Sequence, residues 1–495
     1  MLRCDANRSL VDWVYTMSSP SIGLLACRRG ARTVDGSGDF GSVLKLVVVL
    51  VGLTLALLAF SPALLRPLFP AAACLVGYRI YKRNESYFLS FALWMFILSP
   101  LLRRVVDWRT SYQTQSMVLL APLLVALLPA IHLRRRLYMV VPVIRNAALL
   151  TLAGIVFGAG IGVIKHPGSS VVLSTAQWTA PIVLCIFAAS IRDREALSRA
   201  FTGTLLWGVL LMSIYGMYQF VVAPPWDTYW LNQVTLDSLS PSYGHPVPFG
   251  IRVWSTMNSP GPFSLLLSAA LIWLSVLDGL FPTVVNVAGY IALSLSLVRS
   301  AWLMTILGIL IAVFGCRKAN PLKSAASALL AIGVVAFVLF HSTQFAQVSD
   351  RLETFSSLGS DGSVGERKDM YRYMRGLILS TPLGVGLEST TYVHGYIIDS
   401  SFVDLFYVLG WFGGVFYLAG FAYVLVQVTC RLRSDSKEQA AAIAVVLACS
   451  TQALSGDVIY RQGGIVLWLF IGVWGALSLR HAVQPDRSRA ALAGQ

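Results

Sequence analysis

The chain has 495 residues, of which 56% are hydrophobic and only 12% charged, with a mean hydropathy of +0.70. Apolar runs of that extent exceed what one soluble core can bury, which excludes an ordinary soluble globular protein. The formal net charge of +15 sits in short basic clusters between apolar runs, the pattern that orients an inner membrane protein, and it does not form the continuous basic surface that nucleic acid requires.

A helix needs roughly 20 apolar residues to cross the hydrocarbon core. Residues 1–42 carry Arg28, Arg29 and Arg32 without a long apolar run and read as a cytoplasmic tail rather than a cleavable signal peptide. Apolar segments follow at 43–61, 63–78, 86–102, 117–131, 138–164, 170–190, 200–222, 260–277, 281–298, 300–315, 324–341, 402–429, 439–456 and 463–480, before a second cytoplasmic tail at 481–495. The expectation is an all-α, polytopic transmembrane helical bundle over 43–480, with about 12–14 spans.

Alternating sides from the N-terminal tail places Lys82 and Arg83, Arg134 to Arg136, Arg192, Arg194 and Arg199, Arg317, Lys318 and Lys323, Arg431, Arg433 and Lys437, and finally Arg480 and Arg487 inside. The frame depends on the run from Phe281 to Cys316, interrupted only by Arg299. One helix over that run would extend roughly 54 Å against a hydrocarbon core of about 30 Å, so two helices meeting at Arg299 are expected. The cysteines lie in the tail, in spans or at cytoplasmic ends, and imply no disulfide framework. No His, Cys, Asp or Glu cluster has metal-ligand spacing and no glycine-rich phosphate loop opens a helix, so neither a metal nor another cofactor is expected.

Arg103, Arg104, Arg109, Arg252, Arg299, Arg367, Arg372 and Arg375 all fall in connections that this frame assigns outside, against the usual charge bias. An ionisable residue interrupting a long apolar run, as Arg299 does, is costly and is usually retained for a site. Arg103, Arg104 and Arg109 follow a span end, where snorkelling to headgroups is common and Asp107 is a ready partner. Two external connections, 223–259 and 342–401, exceed ordinary loop length. The first is rich in proline and in aromatics (Trp226, Tyr229, Trp230, Tyr243, Phe249 and Trp254), which suit either an interfacial belt or stacking on sugar faces; His245 within it reads as a turn residue. In the second, Lys368, Arg372 and Arg375 fall on one helical face and Met370, Met374, Leu377 and Ile378 largely on another, an amphipathic helix on or near the outer membrane surface.

Four pieces of sequence resemble the O-antigen ligase and polymerase superfamily of bacterial envelope proteins. Arg252-Val-Trp-Ser-Thr-Met-Asn-Ser-Pro-Gly-Pro-Phe is similar to its R-x-x-(S/G)-T-x-x-x-P segment, and Leu297-Val-Arg299-Ser-Ala-Trp to its arginine-containing span junction. Arg367 followed by Thr381-Pro-Leu-Gly-Val-Gly386 resembles its R…P-x-G-x-G loop, and Asp399-Ser-Ser-Phe-Val-Asp-Leu-Phe-Tyr-Val-Leu-Gly410 its final loop-to-span signature. The resemblance covers mainly 200–430.

It implies transfer of a glycan from an undecaprenyl-pyrophosphate carrier to an acceptor hydroxyl at the outer face of the inner membrane, in functional company with a flippase and a chain-length regulator. Arginine offers a fixed cationic fork to phosphate oxygens without a metal. Arg252, Arg299 and Arg367 are therefore the leading pyrophosphate ligands, with Arg103 and Arg372 behind them. Ligases of the family carry a histidine where Asp399 stands, eleven residues before Gly410, and here His394 lies five residues earlier. Asp399 and His394 are the candidate bases for the acceptor hydroxyl, with Asp404 a third; solvation of His394 and helix capping by Asp399 are the plainer readings. The displaced histidine favours a polymerase over a ligase. A flippase or transporter would place ionisable sites at midplane within paired repeats, and no repeat halves are visible.

Overall fold

The computed structural model describes residues 36–238, 243–316, 362–388, 392–393, 396–397, 400–454 and 456–478. No water reaches a hydrocarbon layer to satisfy backbone N–H and C=O groups, so an open chain crosses it as helix. The helices are α1 (Gly36–Phe60), α2 (Pro62–Arg83), α3 (Glu85–Arg109), α4 (Leu120–Leu127), α5 (Leu133–Leu137), α6 (Pro142–Lys165), α7 (Ser169–Ser190) and α8 (Arg194–Val222). They continue with α9 (Pro225–Ser238), α10 (Pro260–Leu274), α11 (Leu280–Leu295), α12 (Arg299–Gly315), α13 (Gly362–Ser380), α14 (Ser401–Thr429), α15 (Lys437–Thr451) and α16 (Arg461–Ser478). A two-residue antiparallel pair, β1 (Tyr392–Val393) with β2 (Tyr396–Ile397), precedes α14.

Every described apolar segment expected from the sequence lies on a helix; the one at 324–341 lies outside the described residues. Among the described residues, eight helical stretches are long and apolar enough to cross a membrane, and α10, α11 and α12 are apolar but shorter. The protein is a polytopic helical membrane protein. Proline opens α2, α6 and α10, where its missing N–H costs nothing. Asn84 and Asp193 cap α3 and α8 by accepting from Tyr87 N and Ala196 N. The run from Phe281 to Cys316 breaks as expected: α11 ends at Leu295, Leu297 turns left-handed at φ 55°, and α12 starts at Arg299. Residues 223–259 differ from the expected irregular connection, because Pro225 starts a fourteen-residue helix there. The amphipathic segment folds as α13, with Met370 and Met374 buried against Val403 and Tyr407 of α14 while Arg372 and Arg375 are exposed.

Helix α14 packs along α6 and α7 along α16. Small residues allow the first approach: a Cβ on Gly154 would lie 2.5 Å from the carbonyl oxygen of Gly413. α14 is kinked at Gly410 (φ 68°), and the turn after α13 plugs the kink. Val385 N and Gly386 N donate to Tyr407 O and Val408 O at 3.0 and 2.9 Å, and Trp411 N donates to Pro382 O at 2.8 Å. Orphaned carbonyls of a broken membrane helix thus find partners in a loop, as the low-dielectric setting requires. A Cβ at Gly410 would meet Leu383 C at 2.3 Å in a left-handed conformation. Gly410→Ala should therefore lower the thermal midpoint of the detergent-purified protein. Gly376→Ala, on α13 with nothing within 4 Å, should leave it unchanged or raise it by the helix-propensity gain of about 1 kcal/mol.

Candidate functional site at one end of the bundle

The first two family-like segments meet at the α11–α12 break. Arg252 Nε donates to Ser296 O at 3.3 Å and its Nη2 to Leu297 O at 3.2 Å, while Val253 N donates to Leu295 O at 3.1 Å. Arg252 therefore occupies the carbonyls immediately before Arg299, which is the first residue of α12. Trp302 Nε1 donates back to Leu293 O at 3.1 Å and closes the junction. Both arginines are half-buried, and they sit where the partial positive charge of a helix N-terminus also lies.

A buried polar clamp holds the segment that follows Arg252. Arg104 on α3 and Asp227 on α9 form an ion pair of 2.7 Å with both side chains fully buried. Asp227 Oδ2 accepts from Tyr215 OH and Gln219 Nε2, each at 2.8 Å. Gln219 Oε1 in turn accepts from Trp254 N at 3.1 Å and Ser255 N at 2.8 Å. Ser255, left-handed at φ 51°, donates its hydroxyl to Met212 O at 2.6 Å, and its carbonyl accepts from Arg104 Nη2. Burial pushes the Asp227 carboxyl up, and Arg104 with the two hydrogen bonds opposes that rise.

Beyond the clamp the same segment reaches a cavity of about 450 Å³, in whose wall Met257 and Pro262 stand. The other walls come from α3, the turn before α4, the start of α7 and the start of α16. Asp457 enters it from the connection between α15 and α16, and Arg461 from the first position of α16. Tyr460 OH donates to Asp457 Oδ1 at 3.0 Å, and the Tyr460 ring stacks on Trp178 with centroids 4.1 Å apart. Burial raises the Asp457 carboxyl, with Arg461 and Tyr460 opposing. The connection is fastened to the start of α14, since Ser401 Oγ donates to Gly456 O at 2.5 Å and accepts from Val458 N at 2.9 Å.

The sequence-derived candidates land differently. Arg252 and Arg299 come together. Arg103 is turned into the protein, pairing with Asp107 at 3.2 Å and donating to Gln113 O at 2.6 Å; Asp107 also takes Arg66 at 3.3 Å. Arg372 is on the exposed face of α13, paired with Asp369 at 3.3 Å. Arg367 falls on α13 with its side chain outside the described residues, as His394 and Asp399 are entirely. Arg104, grouped by sequence with residues that snorkel to headgroups, is instead an interior residue, because Asp227 compensates its charge. Trp230, Tyr243 and Trp254 pack on one another around this clamp, with Trp230 and Trp254 buried, so these three are core and neither belt nor platform. His245 lies in a turn whose N–H donates to Gly250 O at 2.8 Å. Asp457 and Arg461 escaped sequence reasoning, although the same charge-bias signal applied to them: both lie between two apolar spans in a connection the alternating frame assigns outside.

Removing one member of a buried ion pair leaves the other uncompensated, a cost of about 3–5 kcal/mol, whereas an apolar replacement of both is far milder. Arg104→Ala or Asp227→Ala should each sharply lower the thermal midpoint in detergent, and the double variant Arg104→Met/Asp227→Leu should recover much of the loss. Equal, additive losses in a double-mutant cycle would contradict the clamp.

Comparison with known proteins gives one match: residues 284–418 fit the family model described as O-antigen ligase (Wzy_C). That span contains the α11–α12 break, α13 and the kink of α14. Neither the curated proteins nor the solved structures contain a match to this chain. Over residues 284–418 the chain is thus similar to the O-antigen ligase family, which supports a relationship to the O-antigen ligase and polymerase superfamily.

Proposed function

We propose that the protein is an envelope polysaccharide polymerase that moves a glycan from an undecaprenyl-pyrophosphate donor to a hydroxyl of a second lipid-linked repeat unit at the outer face of the bacterial inner membrane. The observation that carries this reading is the junction of Arg252 and Arg299, two arginines from separate motifs meeting at the start of one helix. Such a junction suits a pyrophosphate, whose charge grows as it leaves. Arg367 joins them in this reading. Arg103 and Arg372 are weaker ligands, since one already serves an internal carboxylate and the other lies on an exposed helix face.

In the reaction the acceptor oxygen attacks the anomeric carbon from the face opposite the pyrophosphate, inverting it. The bond from that carbon to the phosphate oxygen breaks, and its electron pair leaves with undecaprenyl pyrophosphate, whose charge the arginines hold. The acceptor proton passes to Asp399 or His394. Positive charge supplied by arginine makes a metal unnecessary for this step. Both chain termini lie in the cytoplasm, and a flippase and a chain-length regulator act beside the enzyme. The second reading is an O-antigen ligase that transfers the glycan to lipid A core, which the description of the matching family favours; Asp399 in place of the ligase histidine supports the polymerase.

A deletion strain separates the two. A polymerase leaves single lipid-linked repeats and no long glycan, whereas full-length polymer stranded on the carrier identifies a ligase. Arg252→Ala and Arg299→Ala, at normal protein levels, should each reduce polymer by about 100-fold or more; unchanged chain length in both removes the pyrophosphate assignment. Of Asp399→Asn and His394→Ala, the one that abolishes polymer marks the base, and full activity in both eliminates that pair.

A further inference from the structure

The cavity beside the arginine junction has a different chemical character from the junction itself. At its polar end Asp457 and Arg461 approach only to 4.0 Å, beyond hydrogen-bond distance, and the buried Arg461 Nε has no partner. Tyr460 OH donates a hydrogen bond to Asp457 and also faces Asp404, buried at the start of α14. Two carboxylates thus stand against one guanidinium. Gln177 and Gln462 add amides to the lining, and Phe96, Leu120 and Leu173 supply apolar wall. The local backbone is forced into this arrangement. Arg461 is left-handed at φ 52°, and a Cβ at Gly463 would fall 1.7 Å from Asp457 O, strain of the kind that concentrates at functional sites.

These groups select a ligand. Phosphate offers acceptors only and would meet the Asp457 carboxylate, with that of Asp404 buried behind it; an ammonium would meet Arg461. A hydroxyl both donates and accepts, and so satisfies a carboxylate, a guanidinium and an amide in turn. The C–H faces of a sugar ring fit the apolar wall, and the volume is within the range of about 300–1,000 Å³ usual for ligand pockets. Position agrees with chemistry. Met257 in the wall is five residues from Arg252, so the two backbones lie at most about 18 Å apart at full extension. Gly456, next to Asp457, is hydrogen-bonded to Ser401, which stands two residues after Asp399 in the sequence.

We propose that this cavity binds the acceptor glycan, with Asp457, Arg461 and Gln177 holding the hydroxyls of its terminal sugar while the donor pyrophosphate is held at Arg252 and Arg299. The identification of that glycan as the acceptor rests on the transfer reading above; the sugar site itself does not.

Binding is measured by saturation-transfer NMR on the intact, detergent-purified chain. The probe is the lipid-free oligosaccharide repeat released by mild acid from the cell's own lipid-linked pool, with inorganic pyrophosphate as competitor. Wild type and Arg252→Ala should bind the oligosaccharide alike, and pyrophosphate should not displace it. Gln177→Leu and Arg461→Met should bind about tenfold more weakly or worse. Leu123 stands in the cavity wall on α4, and Leu123→Trp, which fills the cavity without removing a polar group, should also abolish binding while keeping the wild-type thermal midpoint. Undiminished binding in Gln177→Leu and Leu123→Trp overturns the site, and displacement by pyrophosphate shows an anion site instead. Either result leaves the transfer reading intact, because that reading stands on polymer length in the arginine variants. Long glycan made at the normal rate by Leu123→Trp cells would overturn the acceptor role.

Discussion

The buried ion pair of Arg104 and Asp227 is the constraint on which this end of the molecule rests. Two desolvated charges cost several kcal/mol each, and their attraction offsets that only when further hydrogen bonds complete the geometry. Here Tyr215 and Gln219 complete it on the carboxylate, and Gln219 passes the connection to the backbone of Trp254 and Ser255. The left-handed Ser255 is tolerated because its N–H, hydroxyl and carbonyl are all engaged. With the segment fixed there, Arg252 on one side is delivered to the α11–α12 break and Met257 on the other to the cavity wall.

The clamp therefore separates two environments only a few residues apart. The junction combines two arginines with a helix N-terminus and is suited to anionic oxygen. The cavity sets the Asp457 carboxylate beside one arginine and suits neutral hydroxyls. In the proposed enzyme this arrangement keeps donor phosphate and acceptor sugar from competing for one set of groups. The kink at Gly410, plugged by the turn at 382–387, serves the same end by setting the start of α14, and with it Asp404 and Ser401, against the connection that carries Asp457. A regular α14 would leave that turn without its partners.

Much of the architecture was legible because membrane helices announce themselves locally. The break at Arg299 followed from length alone, since one helix over Phe281 to Cys316 is far longer than a bilayer core. The amphipathic pattern of Met370 and Met374 against Arg372 and Arg375 read correctly for the same reason: periodicity is a property of neighbouring residues. The helix at Pro225–Ser238 did not read, because its aromatic and polar residues have no apolar period, and what stabilises it is Asp227 reaching a partner on α3.

The sequence by itself determined the class of protein, the helical segments and the four motif segments, all of which depend on local composition and spacing. Tertiary structure alone decided which charges meet. It turned Arg103 and Arg104 inward to Asp107 and Asp227, brought Arg252 to the residues before Arg299, and placed Asp457 beside Arg461 at a cavity. The physical reason is that a buried charge is tolerated only with a compensating partner, and those partners stand on helices that the chain brings together only when it folds.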